Sequence, residues 1–156
     1  MKKQKYTLVV VDMQPKFVAS QNERTIKMVQ KEIKMAMDNK CPIVFLEYEE
    51  YGPTDKRLKE VIKGYKKCKF VKKRMDDGSD YVIRICNLHK YPLNNFRVCG
   101  VNTGACVKST VSGLATLPYT HIKVPKGACN TTHENYKWKY FPTFGNVKTV
   151  AVGKAA

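Results

Sequence analysis

The sequence predicts an α/β domain in which a mostly parallel sheet of six strands is covered by helices on both faces. Three observations lead there. Short, nearly continuous apolar segments such as Tyr6 to Val11 suit strands buried on both sides. Segments with apolar residues at helical spacing lie between them, and this alternation is the pattern of parallel crossover units. The chain has 156 residues, 43% of them hydrophobic, which is enough for one core without disulfide or metal staples. Residues 1–156 therefore read as one domain.

Tyr6 to Val11 is the first strand and ends at Asp12. After a loop with Gln14 and Pro15, Ile26, Val29, Ile33 and Met37 recur at helical spacing between about Asn22 and Asn39. Pro42 to Glu47 is the second strand. In the following turn, Gly52-Pro53-Thr54, the hydroxyl of Thr54 is placed to cap a helix from Asp55 to Lys63, and Gly64 closes it. Cys68 to Lys73, the third strand, runs into the polar turn Met75-Asp76-Asp77-Gly78-Ser79. Ser79 or Asp80 then caps a helix over Tyr81 to Leu88. Phe96 to Val101 is the fourth strand, followed by the turn Asn102-Thr103-Gly104-Ala105 and a helix from about Cys106. Tyr119 to Val124 is the fifth strand, Gly127 to Thr132 a loop, and a short aromatic helix runs through Trp138. Val147 to Val152 is the last strand.

Composition removes several classes of function. Met1-Lys2-Lys3 gives the chain the charged start of a signal peptide, but the apolar run after it is too short and stops at Asp12. No stretch approaches the roughly 20 apolar residues of a membrane span, so a soluble, cytoplasmic protein without a membrane partner is expected. The six cysteines form neither a CxxC pair nor a Cys/His cluster, which predicts reduced thiols, no metal site and no cofactor. The net charge of +16 invites a nucleic-acid reading. Its lysines, however, are spread over the helices, as at Lys27, Lys31 and Lys34, and no basic-aromatic RNA motif stands out. A solvated basic surface is the favoured reading, with nucleic acid kept as the lesser one.

In parallel α/β sheets the ligand crevice lies at the carboxyl ends of the strands. Three of those ends carry reactive residues: Asp12 after the first strand, Lys72 or Lys73 at the end of the third, and Cys106 after the fourth. A cysteine at a helix start sits near unpaired N–H groups, which favour thiolate over thiol, as does a neighbouring ammonium. The same N–H groups can hold an oxyanion. Asp12 is placed to take the thiol proton and to return it to a leaving nitrogen.

Two segments carry a resemblance to a known family. Val9-Val10-Val11-Asp12-Met13-Gln14-Pro15-Lys16-Phe17 resembles an apolar strand followed by D-x-Q-x-x-F, and Gly100-Val101-Asn102-Thr103-Gly104-Ala105-Cys106-Val107-Lys108-Ser109-Thr110 resembles G-V-x-T-x-x-C-V-x-x-T. Both are motifs of the isochorismatase-like cysteine hydrolases, which include nicotinamidases and carbamoylsarcosine amidohydrolases. The resemblance covers Tyr6 to about Thr132. It implies a three-layer α/β/α sandwich with strand order 3-2-1-4-5-6, self-association as a dimer or larger assembly, and hydrolysis of a C–N bond in a small molecule. It also implies a triad of Asp12, Lys73 and Cys106, with Lys73 favoured over Lys72 by its position after Phe70-Val71. A cis peptide at Val101-Asn102 is implied as well, aiming the Asn102 and Cys106 N–H groups at the oxyanion. Gln14, Glu47, Tyr48 and Asn102 are candidate pocket residues. The metal-binding histidines of nicotinamidases have no counterpart in Leu46-Glu47-Tyr48-Glu49-Glu50-Tyr51, and the family's aromatic segment after the triad lysine is replaced by Met75 to Ser79.

Overall fold

The computed structural model describes residues 3–143 and 145–154. Four strands form the centre of a parallel sheet: β1 (Thr7–Val11), β2 (Ile43–Tyr48), β3 (Cys68–Lys73) and β4 (Asn95–Val101). Three more follow, β5 (His121–Pro125), the two-residue β6 (Cys129–Asn130) and β7 (Val147–Val150). The order is β3-β2-β1-β4-β5-β7, with β6 paired to β4. This is the expected architecture, with the predicted sixth strand appearing as β7. The difference lies at residues 129–130, expected in a loop. A short 3₁₀ turn over Lys126–Ala128 interrupts the fifth strand, and the chain then rejoins β4 at Gly100 and Val101.

Every residue of β1 is buried, which explains its unbroken apolar run. Successive side chains of a strand point to opposite faces. Leu8 and Val10 accordingly pack with Ile43, Phe45 and the Ile26, Val29 and Ile33 stripe of α1 (Glu23–Asp38). Val9 and Val11 pack with Val44, Leu46 and Val98 on the other side, under α3 (Ser79–His89) and α4 (Lys108–Leu114). α2 (Lys56–Val61) joins the α1 layer through Leu58. One buried ion pair fixes α1 to the sheet: Arg97 on β4 donates to Glu32 at 2.6, 3.0 and 3.1 Å.

The helix starts differ from expectation for a local reason. Asp55, not Thr54, caps α2, its carboxylate accepting from the Arg57 N–H at 2.9 Å. Thr54 is drawn away because both its N–H and its hydroxyl donate to Glu47. At α3, Ser79 is already helical, and its N–H is satisfied by Asp77 at 2.8 Å. Gly100 has a structural requirement of its own. Its φ is +121°, and a Cβ there would stand 2.2 Å from the Val11 carbonyl. Only glycine lets β4 approach β1 this closely beside Asp12. Among the described residues no helix is long and apolar enough to cross a membrane.

Candidate active site

The site forms where β1, β3 and β4 end side by side. Asp12 leaves β1 in the left-handed region, φ +50°, a conformation that Asp tolerates better than most side chains. Lys73 is the last residue of β3, and strand alternation decides between the two candidate lysines. Lys72 points to solvent, whereas Lys73 is fully buried. Cys106 lies in a π-helical turn, Thr103–Val107, that precedes α4, and not in the first turn of an α-helix.

These three side chains converge. The Lys73 ammonium is 3.1 Å from an Asp12 carboxylate oxygen and donates to the Cys106 sulfur at 3.4 Å. The Met75 carbonyl accepts a further bond from it at 2.9 Å, and the Tyr48 ring covers it, with its centroid 4.2 Å away. Although Asp12 is ion-paired, neither of its oxygens accepts a well-aligned hydrogen bond among the described residues.

The electrostatics reverse one sequence-based expectation. The Cys106 thiol is pushed up to about 12, first by burial and then by the facing Asp12 carboxylate, against the opposing pull of Lys73. The thiol is therefore protonated at rest, and no helix-start effect overcomes the two nearer causes. Burial also raises the Asp12 carboxyl above its usual range, while Lys73 holds it down. Raising an acid's affinity for protons makes it a better proton acceptor from a thiol.

Two of the expected pocket residues serve elsewhere. The Gln14 amide donates to the carbonyls of Tyr48 at 2.9 Å and Gly52 at 2.7 Å, and accepts from the Tyr48 N–H at 2.7 Å. Glu47 is held by Thr54. Both lie near the strand ends and brace the loop after β2. Tyr48 does line the site, through its ring over Lys73. The Asn102 side chain accepts from the Thr132 N–H at 3.1 Å, tying the turn to the chain after β6. The Val101-Asn102 peptide is cis.

Two neighbours were not singled out as site residues. Asp76 is exposed, and one of its carboxylate oxygens lies 3.7 Å from the Cys106 sulfur. Thr110 is buried, accepts from the Gly78 N–H at 3.0 Å and reaches the Asp76 carbonyl at 3.4 Å. It is the last residue of the Cys106 motif, so its role in fixing the Asp76 turn was present in the sequence as a spacing. The sequence marked the Met75 to Ser79 segment as either substrate-facing or only a turn and cap, without distinguishing Asp76 within it. Among the described residues no three His, Cys, Asp or Glu side chains are grouped to hold a metal ion.

A buried carboxylate, ammonium and thiol thus meet at the carboxyl ends of a parallel α/β sheet, where such sheets form their ligand crevice. The chain belongs to the isochorismatase family, whose domain model matches residues 6–151. Solved structures with the same fold include N-carbamoylsarcosine amidase from Thermoplasma acidophilum, 15% identical, covering 95% of this chain and 96% of that one with a TM-score of 0.77. MAR1 ribonuclease from Caenorhabditis elegans is 20% identical and covers 85% and 69%, with a TM-score of 0.72. The nicotinamidase SaPncA from Staphylococcus aureus is 21% identical and covers 84% and 85%, with a TM-score of 0.70. No curated protein sequence matches the chain significantly.

Proposed function

We propose that the protein is a cysteine hydrolase that cleaves an amide or ureide-like C–N bond of a small, non-peptide molecule through a thioester on Cys106. The observation that carries this reading is the Lys73 ammonium, fully buried and within 3.4 Å of both the Asp12 carboxylate and the Cys106 sulfur. An ion pair buried at such desolvation cost is weak evidence for stability, so a chemical role is the better account of it.

In the first half-reaction the sulfur attacks the substrate carbonyl carbon as Asp12 takes the thiol proton. The oxyanion is held by the Asn102 and Cys106 N–H groups. The neighbouring Ala105 and Val107 N–H groups are both committed to the Asn102 carbonyl, at 3.1 and 3.2 Å. Asp12 then protonates the nitrogen, the C–N bond breaks and the amine departs. Water attacks the thioester with Asp12 as base, and the thiolate leaves and regains its proton. Lys73 stays charged throughout, orienting Asp12 and limiting the negative charge that builds up around the sulfur.

The names of two fold neighbours, an N-carbamoylsarcosine amidase and a nicotinamidase, support a C–N bond as the target. A third is named a ribonuclease, so the fold does not by itself fix the bond. A thiol paired with a carboxylate is equipped for acyl transfer, and that favours a carbonyl carbon. As in the family resemblance, the working form is taken to be a homo-oligomer.

Intact-mass analysis after incubation with a panel of small primary amides and ureides tests the reading. A transient acyl adduct confined to Cys106, accompanied by ammonia release and lost in Cys106→Ala, is expected. Adducts that survive in Cys106→Ala, or that spread equally over Cys68 and Cys129, would contradict it.

A further inference from the structure

In a parallel sheet all strands start on one rim, and here that rim is basic from edge to edge. Lys66 and Lys67 precede β3, Lys40 precedes β2, and Lys3 and Lys5 precede β1. His121 opens β5, Lys123 is its third residue, and Lys148 is the second residue of β7. Three adjoining hollows run along this rim. The first, about 530 Å³, is lined by Lys3, Lys5 and Lys40. The second, about 160 Å³, shares Lys3 and Lys5 and adds Arg97, His121 and Lys123. The third, about 360 Å³, shares His121 and Lys123 and adds Lys148. Shared walls make them one trough, and among the described residues Asp38 is the only acidic one lining it.

The register concentrates the charge further. Arg97 faces Lys123 across β4 and β5, and Lys123 faces Lys148 across β5 and β7. Their strand neighbours Ile122, Val124 and Val147 all point into the α3 and α4 side, so the three cations share the opposite face. Arg97 is itself neutralised by Glu32, so the exposed charge of the row is carried by the lysines. Beside the trough stands Tyr119, two residues before His121 and 93% exposed, an aromatic face open for stacking.

We infer that this amino-end trough binds single-stranded nucleic acid, its lysines tracking the phosphates and Tyr119 stacking on a base. The row of cations fits any polyanion; the exposed tyrosine beside it selects one that carries bases. A strand of five residues spans roughly 17 Å, so a polymer held here is remote from Cys106 and its binding is separable from hydrolysis.

The test is fluorescence anisotropy of a short labelled oligouridylate titrated with the full chain over a range of KCl concentrations. Log affinity should fall linearly with log salt, by about 0.7 per phosphate neutralised. The pairs Lys3→Gln with Lys5→Gln and Lys123→Gln with Lys148→Gln should each weaken binding about tenfold at low salt and flatten the slope by about 0.7 per lysine removed. Tyr119→Ala should weaken binding about tenfold with the slope unchanged. Alkylation of Cys106 should be unaffected in all of them. Should a double variant fail to fold, Lys148→Gln alone, at an exposed position, carries the same comparison. The inference is overturned if Lys27→Gln with Lys34→Gln on α1 weakens binding as much. It is overturned equally if inorganic polyphosphate binds as tightly as the oligouridylate with Tyr119→Ala neutral, or if phosphatidylserine vesicles are bound in preference to it.

Discussion

The two rims of the sheet use the same residue types to opposite ends. At the carboxyl rim the buried Lys73 lies within 3.4 Å of both Asp12 and Cys106, and the Asp76 carboxylate stands beside the sulfur. At the amino rim the lysines stand exposed with little acidic company. Burial decides the difference. A charge removed from water must find a partner, so Lys73 is locked by Asp12, whereas Lys3, Lys5 and Lys148 stay hydrated and available to a ligand.

The largest effects are expected at the carboxyl rim. Cys106→Ala should abolish turnover, and Asp12→Asn, which keeps the shape but cannot take a proton, should lower kcat by about 10²- to 10⁴-fold in a steady-state ammonia assay. Equal losses from neutralising amino-rim lysines would erase the distinction between the rims. Stability should separate them next. Lys73→Met leaves the Asp12 carboxylate buried without its counter-ion and should cost roughly 3–5 kcal/mol in urea unfolding, with a smaller loss in the Asp12→Asn, Lys73→Met double variant. Lys72→Met, one residue away and exposed, should stay within about 0.5 kcal/mol.

The pH dependence sharpens the same contrast. Because the Cys106 thiol is raised to about 12, alkylation by iodoacetamide should keep accelerating well above the pH at which an ordinary thiol is already ionised. Asp76→Asn removes one of the carboxylates that raise it, so the midpoint should move to lower pH, as read from the rate profile. Linkage gives the sign for stability. The folded thiol keeps its proton where the unfolded one has lost it, so this contribution is complete below the unfolded value and disappears as pH rises towards 12. In Cys106→Ala the decline of stability over that alkaline window should be shallower.

Much of the carboxyl rim was legible in the sequence because its parts lie in two short motifs with fixed spacing. The preference for Lys73 over Lys72 came from the family spacing after Phe70-Val71, and Lys73 is the one of the two that is buried. What escaped was tertiary. Gln14 and Glu47 sit where a pocket residue would, but the loop after β2 needs their hydrogen bonds, and no spacing reveals that demand. The direction of the Cys106 shift depended on burial and on two carboxylates from other segments, which outweigh the helix start that the local sequence suggested. β6 was missed because two residues are too few to show a period. The basic rim was invisible for a different reason. Its lysines come one or two at a time from five strand starts, and in the linear sequence they look dispersed until the sheet aligns them.

The smallest expected effect probes that alignment directly. Lys148 faces Lys123 across neighbouring strands, and like charges so placed disfavour the fold by a few tenths of a kcal/mol at low ionic strength. Lys148→Gln should therefore raise stability in urea by about that much, and molar salt should erase the gain, since the Debye length there is about 3 Å. The corresponding change on α1, Lys34→Gln, should show no such salt-dependent gain.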